Sequence, residues 1–330
     1  MGVGMTLLKI VVGIVLILVT VQTGILIVQI SEACWKYFLC PEHNLQDRYG
    51  ANTWVMITGP SAGQGRQFAL QFAKRGFHIL MIGSKRCTAV QKEITDLYGS
   101  RIQTRLIEKD FCRAFEKNFF DDIEHEVKQL GTRISVLVNN VGHRVAWKPY
   151  HDMPLTKLYG TISAGTIVQA RLIHMMLPIL LNRAERSAII VISAQCVHPN
   201  IALGVYLPNE LSVPYLSAYE AANAFGYFHA NSIYKEYKDQ LDFLNVAPGA
   251  VKTTRTTAFL KDVPFAVECE DFVANVIRML GNINGTTYGH WKHSFAMYGV
   301  NFLPWLKDKV LQETGEKICK HYVSQNSNTL

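Results

Sequence analysis

The sequence predicts an α/β protein in which one N-terminal transmembrane helix precedes a doubly wound parallel sheet. Short apolar runs alternate with helical segments along most of the chain, as expected for a parallel sheet covered by helices on both faces. Ahead of them, no charged residue occurs from Ile10 to Ile30. At roughly 1.5 Å per residue, a helix of that length crosses a hydrocarbon core of roughly 30 Å.

Composition excludes several classes of protein. With 18% charged and 49% hydrophobic residues among 330, the chain is not disordered, and its length fits one large α/β domain with additions. Seven scattered cysteines exclude a disulfide scaffold. The net charge is +7, but no dense Lys/Arg run is interleaved with aromatic residues, so no nucleic-acid partner is expected.

The apolar run is interpreted as a membrane anchor within residues 1–31, with membrane lipid around residues 10–30. It is longer than the apolar region of a signal peptide, although a buried soluble helix is an alternative. Trp35 follows at the position of an interfacial aromatic belt. Gln22 and Gln29, seven positions apart, are either tolerated polar residues or a helix–helix contact in the bilayer.

Beyond the anchor, residues 32–52 are predicted to be a linker, residues 53–285 the sheet domain and residues 286–330 a C-terminal tail. The tail contains an amphipathic basic segment from Trp305 to Tyr322, which is either a packed surface helix or a membrane-surface helix. The predicted strands are Trp54–Ile57, His78–Ile82, Thr104–Glu108, Ile134–Val138, Ile189–Ile192 and Leu241–Val246, and the first two sheet-covering helices are Arg66–Arg75 and Thr88–Tyr98.

A glycine-rich turn connects the first strand to the helix after it. Gly59, Ser61, Gly63 and Gly65 would let the backbone approach a pyrophosphate at the helix N-terminus, although a tight connection without a ligand uses the same glycines. Further candidates follow other predicted strands, where this architecture binds its ligands. They are Asp110, Asn139, Gly142, Tyr219, Pro248, Gly249 and Thr253.

Together these motifs resemble the short-chain dehydrogenase/reductase family. More narrowly, the chain is similar to the membrane-anchored group of very-long-chain 3-oxoacyl-CoA reductases and 17β-hydroxysteroid dehydrogenases. The narrower resemblance rests on the anchor, Asn139-Asn140-Val141-Gly142, Leu177-Pro178, Tyr288-Gly289-His290 and Leu303-Pro304-Trp305-Leu306. It covers nearly the whole chain and implies a Rossmann sheet and hydride transfer between NAD(P)(H) and a carbonyl or alcohol.

The resemblance also implies a catalytic tyrosine, and Tyr219 matches it. The family's lysine, four residues later, is replaced by Asn223. The family's serine aligns with Ala194, because neighbouring Ser193 would point to the opposite face of the strand.

The family's asparagine, thirteen residues before Pro178, is replaced by Gly165. The segment before Tyr219 is longer than in the family and looks like an inserted loop around Pro199–Pro214. Ser212 of this loop is an alternative source of the missing hydroxyl.

For a cofactor, the resemblance implies that Asp110 contacts adenine and that the segments after the fourth and sixth strands line the nicotinamide side. The second strand ends in Ser84, Lys85 and Arg86 without an acidic residue, which favours NADP(H) over NAD(H). Alternatively, the two cations are an ordinary solvated pair. The cofactor predicted from these residues is NADP(H), and the alternative is that the protein binds no cofactor. No histidine pattern indicates a metal site.

The favoured hypothesis is a catalytically inactive protein of this family that serves as a structural or accessory subunit of a membrane complex, with other proteins as partners. One alternative is an active NADPH-dependent 3-oxoacyl-CoA or 17β-hydroxysteroid reductase. Another is a nucleotide-sensing module that binds NADP(H) without turnover. The resemblance implies a single-pass protein of the endoplasmic reticulum, with the mitochondrial inner membrane as the alternative.

Overall fold

The computed structural model of the chain describes residues 2–142, 148–195, 200–202, 205–207, 213–254, 256, 265–302, 313 and 316. Its helices are α1 Gly2–Cys34, α2 Leu45–Tyr49, α3 Gly63–Lys74, α4 Cys87–Tyr98, α5 Asp121–Leu130, α6 Leu155–Ile162, α7 Val168–Leu181, α8 Ser217–Tyr237, α9 Cys269–Met279 and α10 Trp291–Phe302. Its strands are β1 Trp54–Thr58, β2 His78–Gly83, β3 Thr104–Glu108, β4 Ile134–Asn139, β5 Ala188–Ile192, β6 Asn200–Ala202, β7 Val205–Leu207, β8 Asp242–Val246, β9 Val251–Lys252, β10 Val267–Glu268 and β11 Gly285–Thr287. Apart from Glu313 and Glu316, the predicted tail segment lies outside the described residues, and so does Ser212.

A seven-stranded parallel sheet forms the centre of the protein, in the order β11-β8-β5-β4-β1-β2-β3. The predicted fold class is therefore confirmed. The six predicted strands are present, and β11 was not predicted because Gly285–Thr287 contains no apolar run. Its short polar sequence becomes a strand only by pairing with β8.

Two hydrophobic clusters cover the two faces of the sheet. Along β1, Val55 and Ile57 belong to one cluster, and Trp54 and Met56 belong to the other. Successive strand side chains point to opposite faces, so a strand buried on both sides is apolar throughout. This explains why the central strands could be recognised as uninterrupted apolar runs.

The N-terminal helix α1 is long and apolar enough to cross a membrane, and its apolar side chains are exposed along its length. The hydroxyls of Thr20, Thr23 and Ser31 each donate to the carbonyl four residues earlier at 2.8 Å. They are therefore satisfied within the helix, as a bilayer requires. The helix formed by α6, a π-helical turn and α7 is also long and apolar, but it packs partly against the sheet.

The segment predicted as a linker is instead folded onto the sheet domain. Helix α1 continues through a π-helical turn, Trp35–Leu39, and Tyr37, Leu45 and Tyr49 are buried in the hydrophobic core. The guanidinium of Arg278, in α9, donates to the carbonyl oxygens of Tyr37 and Cys40. No local pattern reveals these contacts, because Arg278 lies 241 positions after Tyr37 and 238 after Cys40.

A buried ion pair fixes the end of this segment. Arg48 donates to the fully buried carboxylate of Asp242 at 2.5 and 2.9 Å, and the hydroxyl of Tyr49 donates to it at 2.8 Å. Burial by itself raises the pKa of Asp242, but the hydrogen bonds from Arg48 and Tyr49 and the charge of Arg186 outweigh burial and hold the pKa below its usual value. The carboxylate is thus charged and paired in the folded protein.

Candidate functional site

The glycine turn between β1 and α3 has the geometry of an anion cradle. Gly59 and Gly63 have φ angles of +67° and +57°, which side chains other than glycine rarely adopt. A Cβ on Gly65 would overlap the carbonyl oxygen of Gly59 and lie 2.6 Å from Nδ2 of Asn140. No side chain caps the N-terminus of α3, so its first N–H groups are available to an anion.

Thr58 joins this turn to the end of β4. Its hydroxyl oxygen accepts from the backbone N–H groups of Asn140 and Val141, both at 3.0 Å. The amide of Asn140 donates to the carbonyl oxygen of Thr58 at 3.0 Å, and the amide of Asn139 donates to the carbonyl oxygen of Gln169 at 3.2 Å. The predicted Asn-Asn-x-Gly segment thus braces the turn.

Two cations project beside the turn at the end of β2. Ser84, Lys85 and Arg86 are all exposed, and neither cation forms an ion pair with any residue that the structure describes. Asp110, beyond β3, accepts from the backbone N–H of Cys112 at 3.1 Å and lines a shallow cavity of about 260 Å³. Exposed cations and a shallow cavity thus follow two neighbouring strands, β2 and β3.

The loop after β8 closes over the other side of the strand edge. A Cβ on Gly63 would lie 3.1 Å from the methyl carbon of Thr253, so this threonine adjoins the glycine turn. The backbone N–H of Gln195, after β5, donates to the carbonyl oxygen of Pro248 at 2.9 Å. The side chains of Gln195 and His293 crowd Gly249, which leaves no room for a Cβ there. The strand-end residues predicted from the sequence therefore face one another along one edge of the sheet.

Tyr219 lies in the first turns of α8 and is partly buried. Four residues later, the side-chain amide of Asn223 donates to the carbonyl oxygen of Tyr219 at 2.8 Å. This contact holds a neutral amide to the backbone of its own helix. A cation that could lower the pKa of the phenol is absent from that position.

The end of β5 carries a hydroxyl that is directed away from the predicted serine position. Ser193 is buried and donates to Oδ1 of Asn245 at 3.2 Å or to the carbonyl oxygen of Val246 at 3.1 Å. Ala194, the residue aligned with the family serine, is 7% exposed and has no polar side-chain atom. The hydroxyl at this strand end therefore stabilises the β5–β8 pairing.

Gly165 lies within a π-helical turn, Ser163–Ile167, where α6 and α7 meet against α8. A Cβ at this position would come within 2.7 Å of the Cβ of Ala222. That distance is shorter than real carbon–carbon contacts, so the packing of the two helices excludes an asparagine in this arrangement.

Gly165→Ala is expected to destabilise the protein by about 1–3 kcal/mol through overpacking, although alanine is ordinarily better than glycine in a helix. The measurement is chemical denaturation of the purified protein. Adding Ala222→Gly removes the overlapping carbon and should recover most of the lost free energy of unfolding. A stabilising effect of Gly165→Ala alone would contradict the helix contact.

Three residues at this edge were not predicted: Thr58 as a brace, and Gln195 and His293 against Gly249. His293 is almost fully buried, and its ring nitrogens lie 3.3 and 3.1 Å from the carbonyl oxygens of Tyr288 and Ala250. Burial lowers the pKa of neighbouring His290 to about 4, so that ring is neutral at pH 7. Thr58 could have been found from its position directly before the glycine turn, whereas Gln195 and His293 are far apart in sequence.

Within the described residues, no group of three or more His, Cys, Asp or Glu side chains could hold a metal ion.

Comparison with protein families and curated relatives gives consistent similarities. The sequence model of the family described as short chain dehydrogenase matches residues 53–208. Hydroxysteroid dehydrogenase-like protein 1 from Gallus gallus is 27% identical over 78% of this chain and 73% of the relative. Inactive hydroxysteroid dehydrogenase-like protein 1 from Pongo abelii is 26% identical over 80% and 76%. Very-long-chain 3-oxoacyl-CoA reductase from Bos taurus is 24% identical over 89% and 90%.

Solved structures agree on the fold. A structure from a study of 7beta-hydroxysteroid dehydrogenase stereoselectivity matches with a TM-score of 0.65 and 19% identity, covering 78% of this chain and 94% of the other. A short-chain dehydrogenase from Sphingobium yanoikuyae in complex with NADPH matches with a TM-score of 0.55 and 19% identity, covering 71% and 86%. At these identities the likeness shows the fold alone.

Proposed function

Since the chain belongs to the short-chain dehydrogenase family, we propose that it is a catalytically inactive member, held in a membrane by α1 and acting as an accessory subunit of a membrane complex. The observation that carries this proposal is the amide of Asn223 bonded to the carbonyl oxygen of Tyr219 at 2.8 Å, where the family has a lysine. Turnover by the purified chain, compared with a Tyr219→Phe variant, tests it directly.

A carbonyl substrate of this family must receive a proton when it is reduced. An unperturbed tyrosine has a pKa of about 10, so about one in a thousand is ionised at neutral pH. With Asn223 in place of a lysine, nothing at that position favours the phenolate. Ala194 supplies no hydroxyl to the substrate oxygen, and the contact of Gly165 with Ala222 leaves no space for the family's asparagine. The inactive relatives support this proposal by name.

An active NADPH-dependent reductase of 3-oxoacyl-CoA or 17-ketosteroids is the second candidate. Tyr219 and the glycine turn are retained, and the bovine reductase aligns with most of the chain. A nucleotide-sensing module without turnover is the third. The candidates differ in measurable properties, because only the reductase turns over and only the sensor changes its assembly when nucleotide binds.

The residues around the glycine turn fit NADP(H), and we propose that it is held structurally. Gly59, Gly63 and Gly65 leave space for a pyrophosphate at the N-terminus of α3, and Lys85 and Arg86 would contact the 2′-phosphate. When bound, the cofactor supplies a hydride donor. The chain's own residues bind and orient it.

Millimolar NADPH is therefore expected to raise the melting temperature by about 5 °C, since a ligand that binds the folded state stabilises it by mass action. A Lys85→Ala/Arg86→Ala variant is the matched control, because both side chains are exposed and the fold does not depend on them. It should lose most of the NADPH shift and keep any NADH shift. Unchanged melting temperatures with both nucleotides would refute cofactor binding.

Partner binding through α1 is proposed from its polar stripe. In the described part of the chain, neither Gln22 nor Gln29 has a hydrogen-bond partner, whereas the nearby hydroxyl of Thr23 is bonded within the helix. A glutamine amide in hydrocarbon needs a partner, and an adjacent helix can provide one. The membrane is proposed to be the endoplasmic reticulum, from the reductase resemblance, with the mitochondrial inner membrane as the alternative.

A native gel in mild detergent should accordingly show the chain in a particle several times its own mass. Gln22→Leu/Gln29→Leu is expected to weaken assembly roughly 10- to 1,000-fold, because each of the two polar contacts contributes about 0.6–2 kcal/mol. Thr23→Val should have no effect. Migration of the unmodified chain as a detergent-bound monomer would contradict the subunit role and favour a stand-alone enzyme.

A further inference from the structure

The outward face of α10 is aromatic where a water-facing helix is normally polar. His293, Ser294 and Met297 form its buried side, whereas Trp291 and Phe295 are 39% and 59% exposed. One helical turn separates these two aromatic side chains, so they share a face. An exposed face of this kind indicates an environment other than water.

This face joins the end of the anchor. The ring centroids of Phe38 and Trp291 lie 6.1 Å apart, and Phe38 and Leu39 are 60% and 70% exposed. We call Phe38, Leu39, Trp291 and Phe295 the aromatic patch. The patch lies just beyond the exposed apolar length of α1, from which Glu32 and Lys36 separate Phe38 along the chain.

Buried contacts hold the patch in place relative to α1. Ser294, in α10, donates to the hydroxyl of Tyr37 at 2.7 Å, and that hydroxyl lies 3.3 Å from Oγ1 of Thr287. Arg278 also bonds the carbonyl oxygen of Tyr37. The anchor and α10 therefore occupy a fixed mutual position, and an orientation of α1 in a bilayer determines the position of the patch.

We propose that the aromatic patch lies in the headgroup region of the bilayer that α1 crosses, with phospholipid covering it. This inference rests on the proposed membrane anchorage. About 12 Å of helix separates Ile30 from Phe38, and the interfacial layer beyond the hydrocarbon is about 5–8 Å thick. The helix length thus exceeds the thickness of the interfacial layer by a few ångströms. Helical side chains tilt towards the N-terminus, which is the bilayer side here, and this tilt brings the ring of Phe38 back towards the layer.

The chemistry of the patch fits that layer. Tryptophan is enriched at membrane interfaces, where an apolar ring meets water and headgroups. The ammonium of Lys292 lies 5.9 Å from the centroid of the Trp291 ring, and a lysine next to apolar rings is typical of surfaces that bind lipid phosphates. A protein partner would be the alternative occupant, and the experiment separates the two.

The experiment places the photo-crosslinker p-benzoylphenylalanine in the full chain, reconstituted in phosphatidylcholine vesicles, at one position at a time. Position 291 tests the patch, and Leu18, in α1 and 49% exposed, tests the anchor. Phe115 is the matched control, because it is 55% exposed and follows β3, at the sheet edge opposite β11. We expect phospholipid adducts at positions 18 and 291 and no phospholipid adduct at position 115.

A lipid adduct at position 18 without one at position 291 would overturn the patch while leaving the anchor in place. So would an adduct at position 291 to protein, whether a second copy or another chain. Absence of a lipid adduct at position 18 would contradict both the membrane anchorage of α1 and the position proposed for the aromatic patch. Phe295→p-benzoylphenylalanine gives the same readout if the substitution at position 291 prevents folding.

Discussion

Purified full-length protein is expected to oxidise NADPH in the presence of a 3-oxoacyl-CoA or a 17-ketosteroid no faster than its Tyr219→Phe variant. Loss of an oxyanion donor typically reduces the rate by about 10²–10³. Loss of tuned acid–base catalysis reduces it by about a further 10²–10⁴. Ala194 and Asn223 correspond to these two losses, so little rate should remain above the uncatalysed reaction.

The measurement is NADPH absorbance in detergent or vesicles, with a related very-long-chain 3-oxoacyl-CoA reductase assayed in parallel as the positive control. Tyr219→Phe removes only the phenolic hydroxyl and keeps the ring. A rate of about one per second, within the ordinary range of enzymes, that disappears in this variant would establish a working reductase. Another group would then have to supply the positive charge that the family's lysine provides, because the amide of Asn223 is neutral.

Asp242→Asn is expected to reduce the free energy of unfolding by about 3–5 kcal/mol, the usual cost of removing one partner from a buried ion pair. Arg48 and Arg186 would lose their counter-charge, and the hydroxyl of Tyr49 would lose a charged acceptor. Chemical denaturation measures the effect. Glu93→Gln is the control, because it breaks a surface pair with Arg66 whose carboxylate is 34% exposed, and such pairs contribute about 0–1 kcal/mol.

The same pair predicts a pH dependence. Because the folded-state pKa of Asp242 is below the unfolded value of 3.8, its contribution is complete above that value and is lost as the pH falls through the folded pKa. The unmodified protein should therefore lose stability below about pH 4 more steeply than Asp242→Asn. Equal acid sensitivity of both proteins would contradict a charged, paired carboxylate.

A separate loss is expected at higher pH from His290. Its folded pKa of about 4 lies below the usual value, so the unfolded chain takes up the proton first and stability falls between about pH 6.5 and 4. Because burial also lowers the pKa values of His78, His229 and His293, His290→Gln should reduce the loss of stability in this window without removing it. The part due to Asp242 should be unchanged. The two windows distinguish the two groups.

Much of the fold could be predicted because its signals are local. Strands buried on both faces are short apolar runs, the turn after β1 must use glycine where φ is positive, and α1 is recognisable from its length without charge. The predicted positions of Tyr219 and Asn223 also depend only on spacing within one helix. Each of these features follows from a few consecutive residues and their own backbone geometry.

The sequence by itself therefore determined the parallel sheet, the glycine turn, the long apolar helix α1 and the neutral side chain of Asn223 one helical turn after Tyr219. Only the tertiary structure decided which distant residues meet. It docks Tyr37 on α9 and α10, places Gly165 against Ala222, and brings Trp291 beside Phe38. These contacts leave no periodic trace in the sequence, since each joins residues that are far apart in the chain and lie together only in the folded protein.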